Sequence, residues 1–150
     1  LFVQSNLNND NPTNFGYFYL SDGTNNNRMA IYYRPAPNLI SYLSESNDSL
    51  SFATNIPIPS TSLPLNVAMR YEQNNFSLWV NGVKKDVQTS GNVPSGLNNL
   101  SLNRPNNLDS FYGKTKSIQH YDYLSDAEME QLTGYDSYSA MTEQFNFNVL

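Results

Sequence analysis

The fold is decided by residues 65–83, which read LNVAMRYEQNNFSLWVNGV. In the first seven residues every odd position is apolar or aromatic, whereas Asn66 and Arg70 are polar. A period of two is that of a β-strand with one buried face. We therefore expect the odd row to face a core, and Asn66 and Arg70 to face outward.

A second strand and a hairpin follow within the same stretch. Residues 76–80 place Trp79 on one face and three apolar side chains on the other: Phe76, Leu78 and Val80. The dipeptide Asn81-Gly82 comes next, and it is a preferred type I′ turn between antiparallel strands. Three consecutive strands are therefore predicted to form a meander.

The rest of the chain has the same organisation. Short runs rich in aromatic and β-branched residues alternate with clusters of Asn, Ser, Thr, Gly and Pro, which is typical of strands joined by tight turns. We predict ten strands, at residues 1–5, 16–20, 28–34, 39–43, 50–53, 65–71, 76–80, 83–87, 97–102 and 113–121. Residues 56–59 are interpreted as an extended crossing between two sheets. The predicted fold class is all-β, a two-sheet antiparallel β-sandwich.

One short helix is predicted near the C-terminus. Ser125 and Glu128 have the spacing of a capping box, in which the serine hydroxyl and the glutamate carboxylate each bind the backbone N–H of the other residue. Leu124 and Met129 are placed to form a hydrophobic staple across this start. Gly134 stands where a helix of about two turns would end.

Length and composition indicate one folded domain. The chain has 150 residues, with 11 Tyr, 8 Phe and 1 Trp, which is enough for a single core. Only 14% of the residues are charged, about half the usual fraction, so most of the polar surface is neutral. Leu1 is not a methionine and residues 1–4 already have the pattern of a strand, so we expect the chain to be a piece of a longer protein.

Charge and cysteine content exclude several classes of partner. The net charge is −5 and the 8 Lys and Arg are scattered, so no basic stripe is available for a nucleic acid. No apolar stretch approaches the roughly 20 residues of a membrane span. The absence of cysteine excludes disulfides and thiolate metal sites.

Several segments carry a resemblance to a known family. They are residues 111–113, Ile118 and residues 121–132 at the end of the chain, residues 76–83 in the centre, and residues 21–24, 28–33 and 89–97. Together they resemble concanavalin A-like lectin/glucanase and laminin-G-like jelly-roll domains, in particular those of bacteriophage and marine-virus proteins. The resemblance implies a jelly-roll domain over residues 1–133, with residues 134–150 as a packed or linking C-terminal extension.

The resemblance also implies a function and a location. The resemblance implies a non-catalytic carbohydrate-binding, receptor-recognition domain of a phage tail fibre or virion surface protein. The expected partners are a host-surface glycan or polysaccharide and other virion proteins, and the expected location is the virion surface or the extracellular space. The alternative is a purely structural virion decoration or oligomerisation domain, such as a homotrimer.

Six residues are candidates for ligand binding: Trp79, Tyr32, Tyr33, Arg34, Arg104 and Asp109. The indole of Trp79 could stack on a sugar ring if its face of the sheet is open; the alternative is that a loop, the C-terminal extension or another subunit covers it. Tyr32 and Tyr33 point to opposite faces, so one of them must lie in the core. Arg104 and Asp109 belong to an amide-rich loop that could bind sugar hydroxyls or simply form turns.

Catalytic machinery is not predicted. Glycoside hydrolases need paired carboxylates across one groove, and the densest acidic cluster, Asp126, Glu128 and Glu130, lies in the predicted helix. His120 is the only histidine and is expected to be hydrogen-bonded and partly buried. We therefore predict a protein that is not an enzyme, with glycoside hydrolysis as the remaining alternative.

Calcium is the one cofactor that the sequence leaves open. Calcium takes six to eight oxygen ligands. Asp22 or Asp109 could contribute carboxylate oxygens beside neighbouring Asn carbonyls, although no dense acidic loop is present.

Overall fold

The computed structural model describes residues 1–9, 16–34, 36–103 and 111–134. Within these residues the chain forms ten strands and one helix: β1 Phe2–Leu7, β2 Gly16–Ser21, β3 Arg28–Arg34, β4 Leu39–Ser46, β5 Ser49–Pro57, β6 Leu65–Glu72, β7 Asn75–Val80, β8 Val83–Gln88, β9 Asn99–Ser101, β10 Gly113–Gln119 and α1 Asp126–Gly134.

The strands form two five-stranded antiparallel sheets. Sheet A has the order β10-β1-β6-β7-β8, and sheet B has the order β5-β4-β3-β2-β9. The chain passes from sheet B to sheet A after β5, at the proline-rich crossing that the sequence predicts. The predicted two-sheet antiparallel β-sandwich with one short helix near the C-terminus is confirmed. No helix in the described part of the chain is long and apolar enough to cross a membrane.

The meander of residues 65–83 has the predicted register. Met69 pairs with Leu78, and both side chains are buried between the sheets. Val80 pairs with Val83 across a two-residue turn whose residues, Asn81 and Gly82, have φ of 48° and 78°. Positive φ at both positions is the type I′ geometry that suits the twist of the flanking strands.

The core between the sheets is rich in aromatic residues. Phe52 contacts both Tyr42 and Phe76 edge-on, with ring centroids 4.9 Å apart in each pair, and so connects sheet B to sheet A. The Tyr42 hydroxyl donates a hydrogen bond of 2.6 Å to Asp86 Oδ2 on β8. The edge-to-face contacts and the satisfied hydroxyl fix the distance and alignment of the two sheets.

Helix α1 begins with the predicted capping box. Ser125 N donates to Glu128 Oε2 at 2.7 Å, and Glu128 N donates to Ser125 Oγ at 3.3 Å. The Ser125 hydroxyl also donates to Glu128 Oε2 at 2.7 Å, and this bond together with the one from Ser125 N lowers the pKa of Glu128. Leu124 and Met129 pack in the same apolar cluster, as the predicted staple requires. The predicted helix and its cap are therefore confirmed, with α1 extending over Asp126–Gly134 of the described residues.

The helix lies on the outer face of sheet A, against β6, β7 and β8. At its C-terminal end Gly82 N donates to Thr133 Oγ1 at 3.0 Å, which ties the β7–β8 turn to the helix. At its N-terminal end Arg70 Nη1 donates to Asp126 Oδ1 at 2.7 Å, and Lys84 Nζ also donates to Asp126. Asp126 is thereby stabilised as a carboxylate, and its pKa is lowered.

Candidate functional site

Trp79 is not available for stacking on a sugar. Its side chain is 4% exposed and packs with Phe2, Ala68 and Met129, so helix α1 covers the outward face of β7. The Lys84 ammonium lies 4.9 Å from the centre of the indole ring. The assignment of Trp79 as a ligand contact is therefore corrected, because a part of the same chain covers it.

Tyr33 lies in the core between the two sheets. Its side chain is 0% exposed and its hydroxyl lies 2.8 Å from Ser5 Oγ on the facing sheet. Burial raises the pKa of Tyr33 well above its ordinary value. Tyr33 is thus the core member of the Tyr32–Tyr33 pair, and its assignment as a ligand contact is corrected.

Tyr32 and Arg34 lie on the outer face of sheet B and are partly exposed. The ring of Tyr32 stacks on Tyr17, with centroids 5.4 Å apart and an interplanar angle of 16°. This face is on the opposite side of the sandwich from Trp79, so the expected convergence with Trp79 does not occur. Tyr32 and Arg34 stay predictions as a separate surface, and Arg104 and Asp109 lie outside the described residues.

A cleft at one end of the sandwich, beside sheet A, offers a different candidate site. It has a volume of about 520 Å³ and runs between the end of β6, the start of β1 and the segment that joins β10 to α1. We call it the tyrosine cleft and define it by Tyr71, His120, Tyr121 and Tyr123. Apolar side chains form part of its wall, including Leu1, Met69, Leu97, Leu124, Met129 and Leu132.

Tyr71 and His120 form a fixed pair in this cleft. The Tyr71 hydroxyl and His120 Nε2 are 2.6 Å apart, and the two ring centroids are 6.1 Å apart. Burial raises the pKa of Tyr71, so its hydroxyl keeps its proton and can donate to the imidazole. The expected hydrogen bond of His120 is confirmed, but His120 is exposed at the end of β10, whereas it was expected to be partly buried.

Two further tyrosines present rings to solvent at the same cleft. Tyr123 is 74% exposed and Tyr121 is 38% exposed. The Tyr121 hydroxyl donates to Gln119 Oε1, which restrains that ring. Exposed aromatic rings beside hydrogen-bonding groups are the combination that binds amphipathic, ring-shaped ligands.

The charged side chains around the cleft differ in whether a group of opposite charge binds them. Arg70 binds the start of α1 through two contacts, from Nη1 to Asp126 and from Nη2 to the Leu124 carbonyl at 2.8 Å. Glu72 accepts a 2.9 Å hydrogen bond from the neutral amide of Asn75. Asp122 is exposed on the segment that carries the two outer tyrosines.

A second groove lies on the other side of α1, near the type I′ turn. It is lined mainly by amides and lysines, including Gln4, Asn6, Asn66, Asn81, Lys114 and Lys116. No aromatic residue contributes to its described lining. The tyrosine cleft, unlike this second groove, presents aromatic rings for stacking.

Metal binding gains no support from the described residues. In the ranges that the structure covers, no group of three or more His, Cys, Asp or Glu side chains could hold a metal ion. Asp22 Oδ1 accepts from the backbone and hydroxyl of Thr24, and Asp22 Oδ2 accepts from Asn27, so its pKa is lowered. These bonds close the β2–β3 loop, and both carboxylate oxygens of Asp22 take part in them. Asp109, the other candidate calcium ligand, lies outside the described residues.

Sequence reasoning did not select the tyrosines of the cleft. Tyr71 was assigned to the inward row of β6, and Tyr121 to the end of a strand. The signal that could have found the outer pair is Tyr121-Asp122-Tyr123, two tyrosines with a period of two after the last regular strand and just before the helix cap. For Tyr33, the row Met29, Ile31 and Tyr33 already indicated which tyrosine of β3 is buried.

Comparison with known proteins identifies one related fold. No protein-family model and no curated protein sequence matches the chain. The chain is similar in structure to the CBM40 of an IT-sialidase from Ruminococcus gnavus, with a TM-score of 0.65 and 17% sequence identity, over 89% of this chain and 80% of that chain. That neighbour is a carbohydrate-binding module with a lectin-like β-sandwich. The likeness shows that this chain has the lectin-like β-sandwich fold that its sequence resembles.

Proposed function

We propose that this chain is a non-catalytic carbohydrate-binding module and that its saccharide ligand binds in the tyrosine cleft. The observation that carries the proposal is the arrangement of Tyr123 and Tyr121, both exposed, beside the hydrogen-bonded Tyr71–His120 pair. The fold likeness to a carbohydrate-binding module is consistent with it.

The chemistry of the cleft suits a sugar. A pyranose ring has apolar C–H faces and a rim of hydroxyls, so it needs both a flat apolar surface and hydrogen-bonding groups. Tyr123 offers the flat surface, and the carboxylates of Glu72 and Asp122 can accept hydrogen bonds from hydroxyls. Tyr71 and His120 are already oriented by their mutual bond, so little side-chain freedom is lost when a ligand binds between them and the outer rings.

The groups present favour binding over catalysis. Retaining glycosidases hold two carboxyl groups about 5 Å apart and inverting ones about 6.5–9.5 Å apart, one on each side of the scissile bond. The two acids that line the described cleft, Glu72 and Asp122, are both exposed, so neither is enclosed among apolar side chains as the general acid of a glycosidase is. The helical acids Asp126 and Glu128 have lowered pKa values and serve the helix start.

The biological setting is the further part of the proposal. Following the resemblance of residues 21–24, 28–33 and 89–97 to phage and marine-virus members of the family, we assign the module to a phage tail fibre or virion surface protein. There it would recognise a host-surface glycan or polysaccharide, on the virion surface or outside the cell. The neighbouring-gene context and the sequence on both sides of this chain test that assignment.

A structural role in an oligomer is the second candidate. It is favoured by Leu100 and Leu102, which are exposed apolar residues at the edge strand β9 of sheet B. An edge strand with exposed apolar side chains is a ready site for association between chains. Light scattering tests this role: a trimer that dissociates in Leu100→Lys supports it, whereas a monomer at high protein concentration contradicts it.

The proposed sugar site is tested with a matched pair of tyrosine variants. Wild-type protein is applied to an array of bacterial-surface and animal glycans, and the dissociation constant of the best ligand is measured by calorimetry. Tyr123→Ala removes an exposed ring inside the cleft, and Tyr112→Ala removes a ring that is 53% exposed but lies outside it.

We expect Tyr123→Ala to weaken binding by about five- to tenfold, the value of one stacked ring, and Tyr112→Ala to leave binding unchanged. Both variants should keep the wild-type melting temperature, because both side chains are exposed. Absence of binding across the array, or equal effects of the two variants, would overturn the proposed site.

A further inference from the structure

The tyrosine cleft is poor in positive charge. The sequence contains 8 Lys and Arg, and all of them except Arg104 lie in the described residues. Of these seven, Arg70 alone lines the cleft. Acidic sugars are usually held by an arginine or lysine that meets their carboxylate, so the state of Arg70 decides whether such a ligand can be accommodated.

Arg70 already forms hydrogen bonds within the protein. Its two terminal nitrogens donate to Asp126 Oδ1 and to the Leu124 carbonyl, at 2.7 and 2.8 Å. Its side chain is 17% exposed, so little of the guanidinium faces solvent. A ligand carboxylate would have to displace the contacts that hold the start of α1 on sheet A. The positive charge of Arg70 is therefore used within the fold.

Among the described Asp, Glu, Lys and Arg side chains of the cleft, the uncompensated charges are negative. Glu72 and Asp122 both line it and both are exposed. The amide of Asn75 binds Glu72 without neutralising it. Asp126, by contrast, is compensated by Arg70 and Lys84. A ligand that enters the cleft thus meets two carboxylates, which attract hydroxyl donors and repel another carboxylate.

We infer that the tyrosine cleft takes an uncharged saccharide and discriminates against acidic sugars. The inference rests on the proposed function and adds the class of ligand. Glu72 and Asp122 accept hydrogen bonds from neutral hydroxyls, while Tyr123 covers a face of the sugar ring. A sialylated or uronic-acid ligand binds more weakly, because its carboxylate is repelled by the carboxylates of Glu72 and Asp122.

The experiment compares matched glycans that differ in one acidic sugar. Lactose and N-acetyllactosamine are paired with their sialylated forms, and neutral bacterial polysaccharides are paired with uronic-acid-containing ones. The readout is the ratio of dissociation constants, acidic to neutral, at low ionic strength, where repulsion between exposed charges is least screened. We expect the acidic member of a bound pair to bind roughly tenfold more weakly.

Charge variants show whether the two carboxylates cause the discrimination. Asp122→Asn and Glu72→Gln together keep the shape of both side chains and one acceptor oxygen on each while removing the negative charge, and they should reduce the ratio to about one- to twofold. Asp48→Asn is the matched control, because Asp48 is an exposed acid in the β4–β5 turn, outside the cleft, and asparagine tolerates its positive φ. This control should keep the wild-type ratio.

The outcomes separate the inference from the proposed function. Binding of an acidic glycan as tightly as its neutral partner, with both weakened by Tyr123→Ala, would overturn the inference and leave the cleft as a sugar site. A tenfold ratio that Asp48→Asn changes as much as the cleft variants would also overturn it. Binding of no glycan, or binding that Tyr123→Ala leaves intact, would instead overturn the proposed function.

Discussion

Replacing Trp79 with alanine should strongly destabilise the protein, although Trp79 lies on the outer face of a sheet. The side chain is 4% exposed and packs in a cluster with Phe2, Ala68 and Met129 beneath helix α1. If the Trp79 side chain were exposed, its replacement by alanine would lower the free energy of unfolding only slightly. The size of the loss therefore measures whether the helix covers this face.

The expected loss of stability in Trp79→Ala follows from the burial of the indole ring. Truncation of a buried Trp to Ala costs about 3–5 kcal/mol, as lost transfer free energy plus the free energy of the cavity that is left. The lower end of this range applies here, because α1 forms one wall of the space and can move toward β7 to fill part of it. Against a typical total stability of about 5–15 kcal/mol, a loss of about 3 kcal/mol should be plainly measurable.

Urea denaturation followed by far-ultraviolet circular dichroism measures this loss, since the variant has no tryptophan left for fluorescence. Trp79→Phe is the control; it keeps a ring under the helix and should lose only about 1–2 kcal/mol. A loss below about 0.5 kcal/mol for Trp79→Ala, the usual range for exposed positions, would refute the position of α1 on sheet A.

Three further predictions test other parts of the structure. Gly82→Ala should lose about 1–2 kcal/mol in urea denaturation, because φ is 78° and the added Cβ would lie 3.1 Å from Gly134 Cα; unchanged stability would contradict the turn. Tyr33→Phe should lose about 1–2 kcal/mol by the same measurement, because Ser5 Oγ is left buried without its partner; a loss near zero would contradict the bond. Asp126→Asn should lower the melting temperature at pH 7 but not near pH 2. The pKa of Asp126 is lowered in the fold, so the stability from its carboxylate is present above pH 4 and is lost as the pH falls through the lowered pKa; a difference that persists in acid would contradict this.

Local patterns were sufficient to predict the strands and the helix. The alternation in residues 65–71 and 76–80 fixes which side chains face the core between the sheets, and Asn81-Gly82 fixes the register of β7 with β8. The capping box locates the start of α1. In each case the determining interactions lie within a few residues of one another, so the sequence alone contains them.

The position of the helix could not be predicted in this way. Trp79 is covered by residues about fifty positions later in the chain, and nothing in residues 76–80 distinguishes an open face from a covered one. The ties that place α1 are long-range: Arg70 and Lys84 to Asp126, and Gly82 to Thr133. Sequence spacing does not encode such contacts. The burial of Trp79 beneath α1 therefore could not be predicted from the sequence.

The tyrosine cleft is hidden from sequence reasoning for a similar reason. It forms because β1 pairs with both β6 and β10, which places the end of β10 beside the end of β6 and brings His120 to Tyr71. Alternation alone assigns Tyr71 to the core. It cannot show that the sandwich ends there and that the ring is only half-buried.

The most direct test of the account is to map the binding of the best neutral glycan by two-dimensional NMR of isotope-labelled protein. We predict that amide shifts change at Tyr71, His120 and residues 121–123, and that Tyr32 and Arg34 on the opposite face stay unchanged. Changes confined to sheet B around Tyr32 and Arg34 would contradict the tyrosine cleft as the ligand site.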